Sequence, residues 1–266
     1  MPLKTGTAPS GLRLLSCLLA LVLCTGAAAK PSTVTYRLRA ADGAYPFSAR
    51  LTFHSQQADS RPMACSGALV APTWVLTAGH CFRDVHGFRV SGPPPVPTSV
   101  LLGRTDVGRA GGVESEVQEV RQSLINDVAL AHLATPAQGV TPVAVRDRQP
   151  AAGLRLLLAG WGATDPARST PAGHLTLGTV AIATVTAAEV GVHGIAPSPA
   201  TSACRFDSGA PYLDISYTGR PALVSIEGHG PPCPHASVET TSRVDILIPW
   251  LTAQLGADRS SLQVSP

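Results

Sequence analysis

Three segments carry side chains suited to acyl-transfer chemistry. His80 closes the run Cys65-Ser66-Gly67-Ala68-Leu69-Val70-Ala71-Pro72-Thr73-Trp74-Val75-Leu76-Thr77-Ala78-Gly79-His80-Cys81. An imidazole at the end of an apolar strand and next to a cysteine sits on a stiff frame, and it titrates where protons can be taken up and returned at neutral pH. Taken alone, it reads equally as a structural histidine. Asp127 opens the apolar run Asn126-Asp127-Val128-Ala129-Leu130, where burying a charge is costly unless something hydrogen-bonds it. The plain reading is a turn aspartate capping a strand; the chemical one is a carboxylate that fixes an imidazole tautomer. Ser208 lies in Ser202-Ala203-Cys204-Arg205-Phe206-Asp207-Ser208-Gly209-Ala210-Pro211. A serine between Asp and Gly suits a tight loop whose N–H groups converge beside the hydroxyl and can hold a developing oxyanion.

These groups must be positioned by strands. The stretch Tyr45 to Phe53 alternates as a half-buried strand does. Further strands are expected at 68–70 with 74–77, 99–102, 117–121, 128–133, 154–159, 176–184, 222–226 and 238–244. Turn-rich segments such as Gly92-Pro93-Pro94-Pro95 and Gly228 to Pro234 separate them. The 25 glycines and 24 prolines are spread as punctuation and form no repeat, which argues for many short strands in a barrel or sandwich. Asp245 to Leu255 places Ile246, Leu247, Trp250 and Leu251 at helical spacing and predicts a terminal helix.

The composition, 44% hydrophobic and 14% charged, excludes a charge-rich disordered chain. Residues 1–29 have the pattern of a secretory signal: Lys4 and Arg13, an apolar run from Leu14 to Cys24, then Ala27 and Ala29 before a cut. The run is too short to span a bilayer, which needs about 20 residues. A lipid-anchored Cys24 is the lesser alternative, disfavoured by Leu23. Cleavage would leave 18 basic against 17 acidic side chains, with no basic stripe or acidic block, so neither nucleic acid nor a membrane is expected as partner. It would also leave four cysteines, Cys65, Cys81, Cys204 and Cys233. Disulfides are the default in an exported protein, and proximity favours Cys65 with Cys81 and Cys204 with Cys233, each loop contributing roughly 3 kcal/mol. The spacings suit a zinc site poorly.

Taken together, the three segments resemble the trypsin and chymotrypsin family of serine proteases in order and context. Asn126-Asp127-Val128-Ala129-Leu130 and Asp207-Ser208-Gly209-Ala210-Pro211 are similar to its aspartate and nucleophile motifs. Gly160-Trp161-Gly162, Arg243-Val244 and Trp250 resemble its later landmarks, so the likeness covers about residues 45–254. The order His, Asp, Ser is that family's. The resemblance implies an all-β fold of two six-stranded antiparallel β-barrels with a C-terminal helix. The expected organisation is a signal peptide over 1–29, an N-terminal segment or short propeptide over 30–44, a first barrel over 45–148 and a second over 149–266. It also implies a secreted, monomeric endopeptidase acting on protein or peptide substrates. Ser208 would be the nucleophile, His80 the base and Asp127 its orienter, with the N–H groups of Phe206 and Ser208 as the oxyanion hole. No metal or organic cofactor is required, and Glu114, Glu116 and Glu119, near where some relatives bind calcium, read better as a solvated acidic loop.

The chain departs from the family in three places. Phe206 stands where the family almost always has glycine, so a strained backbone, a weakened oxyanion hole or an obstructed entrance is expected. Counting back from Tyr45 reaches Val34-Thr35-Tyr36-Arg37, without the Ile-Val-Gly-Gly sequence whose freed amine pairs with the aspartate before the nucleophile. Asp207 is therefore expected to take another partner, such as Arg205 or a different amine. In the primary pocket, Ser202 occupies the base, Ser225 and Glu227 lie on the substrate-binding strand, and Glu239 is on a wall. Either the carboxylates favour Lys or Arg at the cleaved bond, or they fill the pocket or point to solvent and leave a preference for small side chains. A catalytically impaired homologue that binds a protein through its cleft is the alternative function, and a purely adhesive β-module would leave the three ordered motifs without a reason. The other histidines read as surface or packing residues.

Overall fold

The computed structural model describes residues 1–3, 6, 37–54, 64–165, 167, 170–216 and 220–266. Most of the expected signal peptide and residues 30–36 lie outside the described residues. Both barrels belong to one compact unit that ends at Pro266.

The first barrel closes in the order β2 (Ser48–Phe53), β3 (Ala64–Ala71), β4 (Trp74–Ala78), β7 (Val128–Leu133), β6 (Val113–Gln122), β5 (Thr98–Leu102) and back to β2. All its neighbours are antiparallel. Leu51, Leu69, Leu76, Leu102 and Leu130 fill it without exposure. In β6 the inward residues Val117 and Val120 are out of phase for a regular strand. A bulge between Val117 and Glu119 restores the register, because one extra residue swaps the faces of everything after it. Glu114, Glu116 and Glu119 lie on strand β6 and not on the loop expected of them; Glu114 and Glu116 are exposed and Glu119 pairs with Arg121. Among the described residues no cluster of His, Cys, Asp and Glu is arranged to hold a metal ion.

The second barrel runs through β12 (Pro211–Asp214), β9 (Arg155–Gly160), β10 (Thr176–Val185), β11 (Glu189–Ala196), β14 (Glu239–Arg243) and β13 (Ala222–His229), which pairs back to β12. In β9 the alternation is legible: Leu156 and Leu158 point into the barrel with Val180, Val192 and Tyr212, while Leu157 and Ala159 join the other core. A strand covered on both faces reads as a continuous apolar run, as Leu154 to Ala159 does. Short strands β1 (Leu38–Arg39), β8 (Ala144–Arg146) and β15 (Val264–Ser265) border this sheet. The fold is thus two closed six-stranded antiparallel barrels, with a terminal helix α1 (Ile248–Gln254) entered through a 3-10 turn at Asp245–Leu247. Pro249 falls in the first turn of α1, where its missing N–H costs no hydrogen bond. Leu247, Leu251 and Leu255 are its buried stripe.

The expected strands at 128–133, 154–159 and 176–184 are found within a residue of their bounds. Strands β11 and β12 were not expected. In β11 the glycines at 191 and 194 mimic punctuation while Val190 and Val192 are fully buried. In β12 a proline begins the strand, a position where the ladder needs no donor from it.

Candidate active site

Each of the three chemical side chains sits at the end of a strand or on the loop facing it. A 3-10 turn, Gly79–Cys81, follows β4 and presents His80, and a disulfide ties Cys81 back to Cys65 on β3. Gly79 lets side chains close in on this turn: a Cβ there would lie 2.6 Å from Gln122 Oε1, 2.7 Å from Arg89 Nη1 and 2.9 Å from Asp127 Oδ1, so these side chains would have to shift. Asp127 immediately precedes β7, whose pairing with β4 brings Ala78 opposite Val128. The His80 ring then bridges the other two groups, with Nδ1 2.6 Å from Asp127 Oδ2 and Nε2 2.8 Å from Ser208 Oγ.

Asp127 Oδ1 accepts the His80 backbone N–H at 2.9 Å and an Arg89 N–H at 3.3 Å. Burial works against its charge, but the hydrogen bond and charge of His80, the field of Arg89 and the backbone N–H outweigh it, and the carboxyl is held below its ordinary range. Its contribution to folding is therefore present at neutral pH and lost as pH falls. Arg89 is a partner that the motif around Asp127 does not announce. Asn126 turns away and donates to the carbonyls of Ala188 at 3.2 Å and Arg243 at 2.9 Å, fastening the aspartate turn to the second barrel.

The nucleophile loop is fixed from both barrels. Ser66 N–H donates to Ser208 O at 2.8 Å, and Ser66 Oγ donates to Phe206 O at 3.1 Å and accepts from Trp161 N–H at 3.0 Å. Ser66 was not singled out from sequence, although it lies inside the histidine segment. Within the loop, Asp207 is fully buried; it takes the N–H of Cys204 at 2.9 Å and of Gly162 at 2.8 Å, together with the guanidinium of Arg37. Gly162 is glycine because any Cβ there would collide with that carboxylate. Of the partners expected for Asp207, an amine or Arg205, the latter goes elsewhere: its guanidinium lies 5.4 Å from the centre of the Phe206 ring.

Phe206 adopts φ +74, the left-handed conformation a glycine would take. Its ring is 7% exposed and packs with Ala64 and Ala163, outside the cleft lining, so it does not obstruct the entrance. The expectation of an obstructed entrance is thereby corrected: the ring is taken up by packing against Ala64 and Ala163. Among the described residues, neither the Phe206 nor the Ser208 N–H has an acceptor. Left-handed backbone at a non-glycine residue costs about 1–2 kcal/mol, and burying a phenyl ring more than offsets that, since Phe→Ala in a core costs about 3–5 kcal/mol. Phe206→Gly is accordingly expected to lower stability by about 1–4 kcal/mol in thermal or urea unfolding, while kcat/KM changes by less than about tenfold. A loss of about 10² or more would mean that the ring itself shapes the loop.

The cleft beside the three groups is a cavity of about 600 Å³ lined by His80, Ser208, Ala203, Glu227, Gly230 and Pro232, with Arg83 and Arg205 among its other walls. A second disulfide, Cys204–Cys233, holds two of its walls together. Glu227 faces the cleft, whereas Ser202, Ser225 and Glu239 are buried and not part of its lining. Ser225 is engaged by Thr241 Oγ1 at 2.8 Å, and Ser202 Oγ accepts the His235 N–H at 3.3 Å. Neither glutamate points to solvent: they are 4% and 2% exposed.

Both glutamates converge on Tyr212, whose hydroxyl lies 2.8 Å from Glu227 Oε2 and 2.6 Å from Glu239 Oε1. One phenolic hydrogen can serve only one carboxylate, so the second contact is a hydrogen bond only when that carboxyl is protonated. Glu239 is the better anion: the Ala203 N–H reaches both its oxygens, at 3.0 and 3.3 Å, and His235 Nε2 is 3.4 Å away. Glu227 is the acid, pushed well above the carboxylate range by burial and by the charge of Glu239; burial also raises Glu239, less strongly. The Tyr212 hydroxyl is raised as well, by burial and by both carboxylates. Carboxyls that bind protons more tightly folded than unfolded carry stability that is full at low pH and lost as pH rises through their elevated values. Melting temperature is thus expected to fall as pH rises above the ordinary glutamate range, and Glu227→Gln, which keeps the neutral form, to flatten that fall. An unchanged slope in the variant would contradict the protonated assignment.

His54 bonds Ser99 Oγ at 2.8 Å, and the His132 ring lies 4.4 Å, tilted, from that of Trp74. These rings play structural parts.

Comparison with known proteins agrees with this architecture. The Trypsin family model matches residues 37–251. "Serine protease 56" of Mus musculus is 29% identical over 253 residues, covering 85% of this chain and 39% of that protein, and its Homo sapiens counterpart is 29% identical, covering 82% and 38%. The chain therefore spans about two fifths of the length of these curated relatives. "Putative trypsin-6" of Homo sapiens is 33% identical over 38% of the chain. The solved structure of neuropsin, a serine protease expressed in the limbic system of mouse brain, superposes with a TM-score of 0.65 at 20% identity, covering 82% of this chain and 98% of that one, which is a likeness of fold. With the family model spanning both barrels and the three motifs in its order, the chain belongs to the trypsin family of serine endopeptidases.

Proposed function

We propose that this protein is a secreted serine endopeptidase that hydrolyses peptide bonds through an acyl-enzyme. The single observation that carries the reading is the His80 ring, within hydrogen-bond reach of Ser208 Oγ on one side and Asp127 Oδ2 on the other. In the first step Ser208 Oγ attacks the peptide carbonyl while His80 Nε2 takes the hydroxyl proton, and the imidazolium formed is stabilised by Asp127. The carbonyl oxygen becomes an oxyanion, for which the unpartnered N–H groups of Phe206 and Ser208 are the available donors. His80 then gives its proton to the leaving amine, and water repeats the sequence on the acyl-enzyme. Two disulfides and the leader-like residues 1–29 support export.

Behind the cleft wall, Glu227 is linked through the Tyr212 hydroxyl to Glu239, the better anion of the two, and this buried carboxyl pair supports a preference for Lys or Arg before the cleaved bond. A cationic side chain entering the cleft would lower the cost of ionising Glu227. Active-site titration with chromogenic esters of blocked Arg, Phe and Ala tests both parts. A burst stoichiometric with protein is expected, largest in kcat/KM for Arg. No burst with any ester would sink the protease reading in favour of a cleft that only binds; a burst without preference for Arg would sink the acidic-wall reading alone.

A further inference from the structure

The carboxylate next to the nucleophile is neutralised from within the chain. Asp207 has no side-chain exposure, and the cation against it is Arg37, whose own side chain is 1% exposed. Arg37 Nη2 donates to Thr176 O at 2.9 Å and Gly160 O at 3.2 Å, while Nε is buried without an acceptor among the described residues, so the guanidinium is wedged between the nucleophile loop and strands β9 and β10. It is delivered by β1, which pairs with β10 at Leu38 with Leu177 and Arg39 with Thr176. Arg37 precedes both barrels in sequence and stands 170 residues from Asp207. Through Asp207, which also binds the N–H groups of Cys204 and Gly162, that one cation braces the turn whose backbone donors face the site.

We propose that Arg37 is a positioning residue that supplies the counter-charge holding the 204–209 loop in its competent shape, so that reactivity does not depend on cutting the chain to free an amine. The inference deepens the protease reading and rests on it. A free α-amine titrates at about pH 7.7–8.0 and can lose its charge at alkaline pH, whereas a guanidinium stays charged throughout. The other ionisable groups whose fields reach this pair are Glu227 on β13 and Glu239 on β14.

The test uses the full chain as wild type, Arg37→Met and Arg37→Lys, read by hydrogen exchange over residues 204–209 and by the reactivity of Ser208 towards a fluorophosphonate. The first readout does not need turnover. In Arg37→Met the loop amides are expected to exchange about 10²-fold faster and Ser208 to react about 10²-fold more slowly, with partial rescue by added methylguanidinium. Arg37→Lys is expected to behave like wild type at neutral pH and to lose reactivity at alkaline pH, where wild type does not. Wild type whose amino terminus is acetylated or extended by a tag is expected to react at the wild-type rate. Unchanged loop protection and reactivity in Arg37→Met, or loss of reactivity on blocking the terminus, would overturn the proposal. Should Arg37→Met fail to fold, an alkaline profile of Arg37→Lys identical to wild type would overturn it equally. A protected loop in wild type with no fluorophosphonate reaction would instead count against the protease reading, and the exchange comparison would still decide the role of Arg37.

Discussion

Ser208→Ala is expected to lower kcat by about 10⁶-fold and to leave unfolding within about 1 kcal/mol of wild type. The size follows from the role proposed for the hydroxyl, formation of the covalent bond to the acyl group, and no other nucleophile among the described residues lies against His80 Nε2. The fold is indifferent because Ser208 Oγ makes a single hydrogen bond, to His80, while the loop is held by Ser66, Asp207 and Arg37 through other atoms. His80→Ala should cost about as much, and the double variant little more, since the two side chains act as one unit. Steady-state kinetics on any ester that gives a burst would measure this. A loss confined to KM would mean that Ser208 only binds.

Asp127→Asn is the second large effect, about 10⁴-fold in kcat. The direction can be derived from the two carboxylate oxygens. Oδ1 is held by the His80 N–H and by Arg89, both donors, so the amide oxygen of an asparagine would take that place. Its NH₂ group would then face His80 Nδ1. An imidazole that accepts at Nδ1 carries its proton on Nε2, facing Ser208, and can no longer take the serine proton. Geometry is preserved and the base is disabled, so the variant should fold normally and bind substrate analogues with unchanged affinity. A kcat within about tenfold of wild type would show that Asp127 is the turn residue its plainer reading suggested.

How much of this was legible in the chain depended on whether a residue acts through local pattern or through distant contact. His80 and Asp127 stood out because they close and open patterned apolar segments, Ser208 because Asp and Gly flank it in a tight loop, and both barrels could be expected once their order was seen. The disulfide partners were legible from spacing. Arg37 lies where the family pattern leads one to expect an amine, and a cation 170 residues from its carboxylate has no local signature. Tyr212 is similar: alone it is an aromatic at the start of a strand, and only the β12–β13 and β13–β14 pairings bring it between Glu227 and Glu239. Phe206 shows the opposite case. Its conflict with a left-handed position was visible in sequence, but the direction of its ring, onto Ala64 and Ala163, required the strand that begins at Ala64.

Everything proposed for the cleft depends on Ser208 being a live nucleophile activated by His80. A tagged fluorophosphonate added to the intact protein, followed by proteolysis and mass mapping, tests it most directly. A single stoichiometric adduct on Ser208 is predicted in wild type, none in Ser208→Ala, and strongly slowed formation in His80→Ala. Intact, folded wild-type protein that forms no adduct, or one that labels equally without His80, would contradict it.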